Sequence, residues 1–444
     1  MTYYESSRRS QSLAITGTYN DSSVIYKYSS LQAVPPIVSM SSVPPELLFC
    51  ILEYGYYTLS GTPNYKHLKA CSLVCRAWSG PAQSILFRSA INLGNHNFHM
   101  FYAALLSSAA RGRPLGDCVR TLGVCILGPS PSQPLTQAIH CSQKLNLPAS
   151  NTQMDCSPLI IAELLQACPQ VYELVLSFFQ VDLDEEILEK LRVPGQRLKR
   201  LSLGYFGTQS HILFHLLRIW PDIQVLTTRS YIHSPGLPTT SLMLQRNTDD
   251  TGELAHQNGV QTSLYHLVLT VPMEPEALAW LLASSANSLC ILDLQVPLYL
   301  RGQNIFAHQV PPLHSLRSLR LSWYDDDTIT LLRLCTSLEE LVFDGFHLPP
   351  CCPLASNLPP TIQHLAFTIG NYKCRVTLQP IIDAVDTLPN LRVLTCNQNM
   401  RRQLYDEYAI LERRCKLKGA EMVVSDFPYA RYGILQKCSC HVLT

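Results

Sequence analysis

One short pattern, Leu-x-x-Leu-x-Leu, recurs along most of this chain and constrains its fold more than any other feature. It reads Leu198-Lys-Arg-Leu201-Ser-Leu203, then starts again at Leu264, Leu289, Leu316 and Leu338, with looser copies from Val171, Ile223, Ile362 and Leu391. The central leucines are Leu174, Leu201, Leu226, Leu267, Leu292, Leu319, Leu341, Leu365 and Leu394, spaced 22 to 29 residues apart except for one interval of 41. A two-residue alternation puts these leucines on one face of a strand. A unit of this length cannot bury that face alone, so units must stack on one another. The long interval holds a polar stretch, 247–262, which reads as a loop inserted into one unit.

Helix-like runs lie between the strands, at 157–168, 209–220, 274–285, 327–335 and 379–387. Alternation of strand and helix predicts an α/β fold with a parallel sheet. The array resembles the leucine-rich repeat in degenerate form, because no dependable Asn follows the third apolar position. That resemblance implies a curved solenoid, with parallel strands inside and helices outside. Its boundaries read as 93–444, with 119–127 as an early strand and a Pro/Ser-rich insertion near 128–150. A charged amphipathic helix over 401–417, then Gly419 and a strand over 420–426, is expected to cap the far end.

Residues 1–40 are rich in Ser, Tyr and Thr without apolar periodicity and read as a flexible tail. The pattern over 41–92 is helical. Pro44 and Pro45 open a first helix, with Leu47, Leu48, Ile51 and Leu52 making one apolar face. A second helix is expected over 67–78, broken by Gly80-Pro81, and a third over 82–87, leading to a strand around Ile91.

This segment carries the second resemblance. The runs Val43-Pro44-Pro45-Glu46-Leu47, Cys71-Ser72-Leu73-Val74-Cys75-Arg76-Ala77-Trp78 and Leu86-Phe87-Arg88 occur in order, as in the F-box proteins common in basidiomycete (mushroom-type) fungi. Val43 replaces the usual first Leu, and the 54–67 linker is longer than the family pattern. The resemblance implies a three-helix motif that docks to a Skp-like adaptor, and through it to a cullin. By matching positions, the adaptor-facing residues are Pro44, Pro45, Leu47, Leu48, Ile51, Leu73, Val74, Cys75 and Trp78. It implies a substrate-receptor subunit of a ubiquitin ligase that performs no chemistry itself. The alternative is a non-catalytic repeat scaffold outside ubiquitination. Physical reasoning agrees that three helices this short cannot make a self-sufficient core and need a partner surface.

Side chains beside the repeat leucines are expected to face away from the core and meet the target protein. They are Arg200, Ser202, His266, Asp293, Arg320, Ser322, Glu340, Asp344 and His364, with Trp323 and Tyr324 either as aromatic anchors or as packing against the next repeat. Together they mix charge with neutral polarity and name no single ligand class.

No catalytic constellation emerges. There is no phosphate-binding Gly-rich loop, nucleophile elbow or His-Glu-x-x-His motif. His211 and His215 have ligand spacing but no third ligand nearby, and Cys438, Cys440 and His441 form a short terminal cluster. Asp325, Asp326 and Asp327 read as the charged start of a helix. No metal or cofactor is expected. A net charge of +1 gives no reason to expect nucleic acid or an anionic membrane as partner. No apolar run approaches the ~18 residues of a membrane span, and the N-terminus lacks signal-peptide order. Cys440 stands fifth from the end, so no prenylation box is expected. Seventeen scattered cysteines, an odd number, read as reduced buried thiols and so as an intracellular protein, cytoplasmic or nuclear.

Overall fold

The computed structural model describes residues 43–56, 64–93, 95–112, 114–127, 159–179, 183, 185–206, 211–229, 262–271, 273–295, 310–322, 324–344, 354–368 and 377–425. The 1–40 tail and the 128–150 insertion lie outside the described residues, as do Trp323, Cys438, Cys440, His441 and, Thr262 apart, the 247–262 loop.

Twelve described strands form one sheet in strict chain order. They are β1 (Ser89–Leu93), β2 (Thr121–Leu127), β3 (Glu173–Phe179), β4 (Arg200–Phe206), β5 (Val225–Thr228), β6 (His266–Leu269), β7 (Ile291–Leu294), β8 (Ser318–Leu321), β9 (Glu340–Phe343), β10 (His364–Phe367), β11 (Val393–Cys396) and β12 (Glu421–Val424). Every adjacent pair is parallel. Parallel neighbours need a crossover between them, and a described α-helix lies in the connection of every pair except β5–β6, β7–β8 and β9–β10. In chain order the helices are α1 (Pro45–Tyr54), α2 (Tyr65–Val74), α3 (Arg76–Phe87), α4 (Asn95–Ala110), α5 (Leu159–Ala167), α6 (Glu185–Arg192), α7 (His211–Ile219), α8 (Pro275–Ser285), α9 (Asp326–Leu334), α10 (Gln379–Thr387), α11 (Gln398–Gln403) and α12 (Tyr405–Lys418). The chain is therefore an α/β protein with a twelve-stranded parallel sheet, consistent with a leucine-rich-repeat solenoid.

The register explains the repeat. Leu201, Leu226, Leu267, Leu292, Leu319, Leu341, Leu365 and Leu394 follow one another across β4 to β11. All are buried in one continuous core with Leu164 of α5, Leu281 of α8 and Val385 of α10. Each such leucine contributes about 1.5–3 kcal/mol of burial.

Three elements depart from the sequence expectation. The second helix ends at Val74, because Cys75 is extended (φ −161°, ψ 171°), and Gly80 and Pro81 lie inside α3 instead of breaking it. Pro81 removes one helical N–H, but Ala82 and Ile85 are buried in the motif's core and hold the turn in place. The expected 401–417 helix is two helices, split at Leu404 (φ −128°, ψ 51°), so that Met400 and the Tyr408–Leu411–Cys415 face are both buried. The strand after them spans only Glu421–Val424. Helix α4 was not foreseen at all. It buries Phe98 and Leu105 but leaves Met100 and Leu106 exposed, so apolar residues fall all round it and blur its period.

The N-terminal helices have their own small core of Leu48, Leu52, Tyr56, Leu68, Cys71, Ala82 and Ile85. They join the sheet without a linker. Arg88 follows α3 directly, and its carbonyl accepts from the backbone N–H of Arg120 (2.8 Å) and Thr121 (3.1 Å) at the start of β2. Phe87 stacks on Phe101 of α4 at 5.8 Å.

Candidate binding surfaces

Two surfaces hold the sequence-predicted site residues. The first is on the N-terminal helices. Leu48 and Leu52, one turn apart, turn α1 inward, so the opposite stripe faces solvent. Leu47 is 57% exposed, Ile51 51% and Leu73 85%, with Val74 and Cys75 also exposed where α2 gives way to α3. Pro44 and Pro45 are exposed at the N-terminus of α1. Leu48 is a correction: it is 2% exposed and belongs to the motif's core, not to a docking face. Trp78 is half-buried against that core, and its indole Nε1 is shielded with no acceptor. Sequence reasoning missed Tyr54, which is 93% exposed. The signal was available, since Leu47, Ile51 and Tyr54 fall at i, i+4 and i+7 on the exposed stripe.

The ends of the 54–67 linker are tied together. Tyr56 and Tyr65 meet edge to face at 6.3 Å, and Asn64 caps α2 by accepting from the His67 N–H at 3.2 Å. Residues 57–63 lie outside the described residues.

The second surface is the sheet face opposite the leucines, where strand alternation places Arg200, Ser202, His266, Asp293, Arg320, Glu340 and His364. The structure closes much of it. Ser318 Oγ donates to Glu340 Oε2 (2.5 Å), Glu340 Oε1 meets His364 Nδ1 (2.8 Å), and His364 Nε2 meets Thr395 Oγ1 (2.9 Å). All four are buried. Thr395, His364 and Glu340 have the connectivity of a nucleophile, base and orienting carboxylate. Thr395 is only 2% exposed, so no substrate carbon reaches its hydroxyl in this conformation. Glu340 and His364 are thus corrected from target contacts to a buried structural network. Ser202 is also buried.

Beside this network, Arg320 Nη1 donates to Asp293 Oδ2 (3.2 Å) and its Nη2 to Asp344 Oδ2. Gln295 holds Asp293 (3.0 Å), and Thr368 holds Asp344 (2.8 Å). Burial raises the Asp293 carboxyl, against the pull of Arg320. Ser322 is half-buried and donates to the Leu294 carbonyl. Tyr324 takes the packing reading of its two: it is buried, edge to face with Phe343 at 6.0 Å, and belongs to the core.

Among the described residues no group of three or more His, Cys, Asp or Glu side chains is placed to hold a metal. His211 and His215 share α7, with Ile212, Leu213 and Leu216 of the same helix buried in the core. Asp325 caps α9 by accepting from the Thr328 N–H at 2.9 Å. The described cysteines are free thiols, and burial pushes Cys168, Cys335 and Cys396 up to about 12, far from a reactive thiolate. No helix among the described residues is long and apolar enough to cross a membrane.

No family model matches the chain, and no curated protein does. Among solved structures, it is similar to the leucine-rich repeat-containing protein LegL7 from Legionella pneumophila. The identity is 13% and the TM-score 0.31, over 63% of this chain and 88% of that one.

Proposed function

We propose that the chain is a substrate-receptor subunit of a Skp–cullin–F-box ubiquitin ligase. Its N-terminal helices would dock to the Skp-like adaptor, and its repeat array would bind a target protein. Its task would be to raise the local concentration of the target beside a charged conjugating enzyme, without chemistry of its own. The observation that carries this reading is the exposure of Leu47 and Ile51 on α1 and of Leu73 and Val74 at the end of α2, in a motif whose sequence resembles an F-box. Apolar side chains this exposed on adjacent short helices are what helix-in-groove recognition uses.

The test is capture of a Skp-like adaptor by the purified chain, beside a Leu47→Asp/Leu73→Asp variant. Both positions are exposed, so the variant is expected to keep its fold and lose the adaptor. A chain that captures no adaptor, or a folded variant that captures it equally well, overturns the reading. The second reading is a repeat scaffold outside ubiquitination. Its support is the direct fusion of α3 to β1, which makes the helices a cap on the array whether or not they bind anything.

A further inference from the structure

The sheet face is not uniformly satisfied. From β7 to β11, the charges named above are matched side chain to side chain. On β4 and β5 they are not. Arg200, half-buried at the start of β4, forms no ion pair with any described carboxylate, and neither does Arg229 just past β5. Arg229 extends the ladder by one more bond, from its N–H to the Leu203 carbonyl (2.7 Å), so its side chain falls on the same face as Thr227. Ser202 and Thr227 are partners in register and place two hydroxyl-bearing side chains between the arginines. The nearest carboxylate in register with Arg200 is Glu173, which accepts instead from Thr121 Oγ1 on the far side at 3.3 Å.

One strand further on, His266 reports the local potential. Its Nε2 is buried without a partner. Burial first, and the Arg200 charge second, hold its pKa down to about 4. Among the described residues, Arg200 and the exposed Arg229 are thus free to meet an anion from outside, whereas Arg320 of the same face is already held by Asp293 and Asp344.

We propose that this part of the sheet receives an acidic segment of the target polypeptide, with Arg200 and Arg229 holding its anionic side chains and the half-buried Thr227 donating a hydrogen bond to them. Four residues of strand, about 13 Å, separate the two arginine positions. That span matches side chains at i and i+4 on one face of an extended segment, and arginine suits both carboxylate and phosphoryl groups. The proposal rests on the reading that the repeat array binds a protein target, and it does not depend on the adaptor.

The experiment uses the full chain and three labelled probes: a Glu-rich peptide, the same peptide with Gln for Glu, and a single-stranded oligonucleotide of equal negative charge. Anisotropy titrations at low and physiological salt are expected to show the Glu-rich peptide binding at least 10-fold more tightly than its Gln counterpart. Arg200→Glu/Arg229→Glu is expected to abolish the difference, and Arg200→Gln/Arg229→Gln to reduce it. Equal binding of the two peptides, undiminished binding by the charge-reversed variant, or an oligonucleotide bound as tightly as the acidic peptide would each overturn the site. The variants are expected to capture adaptor as the parent does. Failure here thus leaves the docking reading standing, and failure of adaptor capture leaves the peptide result intact.

Discussion

Glu340 and His364 sit opposite one another on β9 and β10, with Oε1 2.8 Å from Nδ1 and both side chains buried. Ser318 and Thr395 satisfy their remaining polar atoms from the flanking strands, so four strands are laced across one face. Breaking such a pair leaves a buried polar group without its partner. Glu340→Ala is expected to cost about 3 kcal/mol in urea unfolding. A double-mutant cycle with His364→Ala should show strong coupling, and additive losses would mean the two residues act independently.

His266 makes stability depend on pH. Its folded pKa lies near 4, lowered by burial and then by Arg200, against about 6.5 for an unfolded histidine. Between those values the unfolded chain binds a proton that the folded chain refuses. The contribution is therefore fully present above the unfolded pKa and is lost as pH falls through the window, at an order of ~3 kcal/mol. His266→Leu should flatten the decline in unfolding free energy between pH 7 and pH 4.5. Parallel declines in parent and variant would show that this histidine is not the group responsible.

Leu47 and Leu48 are neighbours with opposite roles. Leu48→Ala removes a side chain from the motif's core and is expected to destabilise the helices by about 2–5 kcal/mol. Leu47→Asp changes a solvent-facing position and should leave the melting temperature within about 2 °C of the parent, consistent with a surface effect of ~0.5 kcal/mol or less. Thermal melts that rank the two the other way would refute the assignment of faces on α1.

Gly116 precedes β2 where the chain passes the end of α5. A Cβ there would lie 1.8 Å from the Ala167 carbonyl oxygen, a backbone atom that cannot rotate away. Gly116→Ala is expected to cost about 1–3 kcal/mol through overpacking, read as a lower urea midpoint. An unchanged midpoint would mean that the end of α5 shifts freely.

The repeat was legible because its cause is local. Leu201, Leu226 and the later central leucines announce themselves by spacing alone, and each falls in register on the same buried row. The helices over 209–220 and 379–387 were legible for the same reason, since one face of each is apolar. Helix α4 was not, because its solvent face carries Met100 and Leu106 as well. The break at Cys75 was hidden behind the stronger signal of Gly80-Pro81, whose helix-breaking tendency is overridden by the packing of Ala82 and Ile85.

On the candidate surfaces the division runs differently. The amino-acid order determined which side chains share a face, because a strand alternates every residue and a helix returns every three or four. It therefore placed Arg200, Arg320, Glu340 and His364 together on one side of the sheet. Only the tertiary structure decided which of them are spoken for. Arg320 is held by Asp293 and Asp344, and Glu340 by His364, across strands that lie 22 to 27 residues apart in the chain. Among the described residues, Arg200 has no such partner. Pairing depends on the neighbour one strand over, and that neighbour is set by the stacking of whole repeats, which no local pattern encodes.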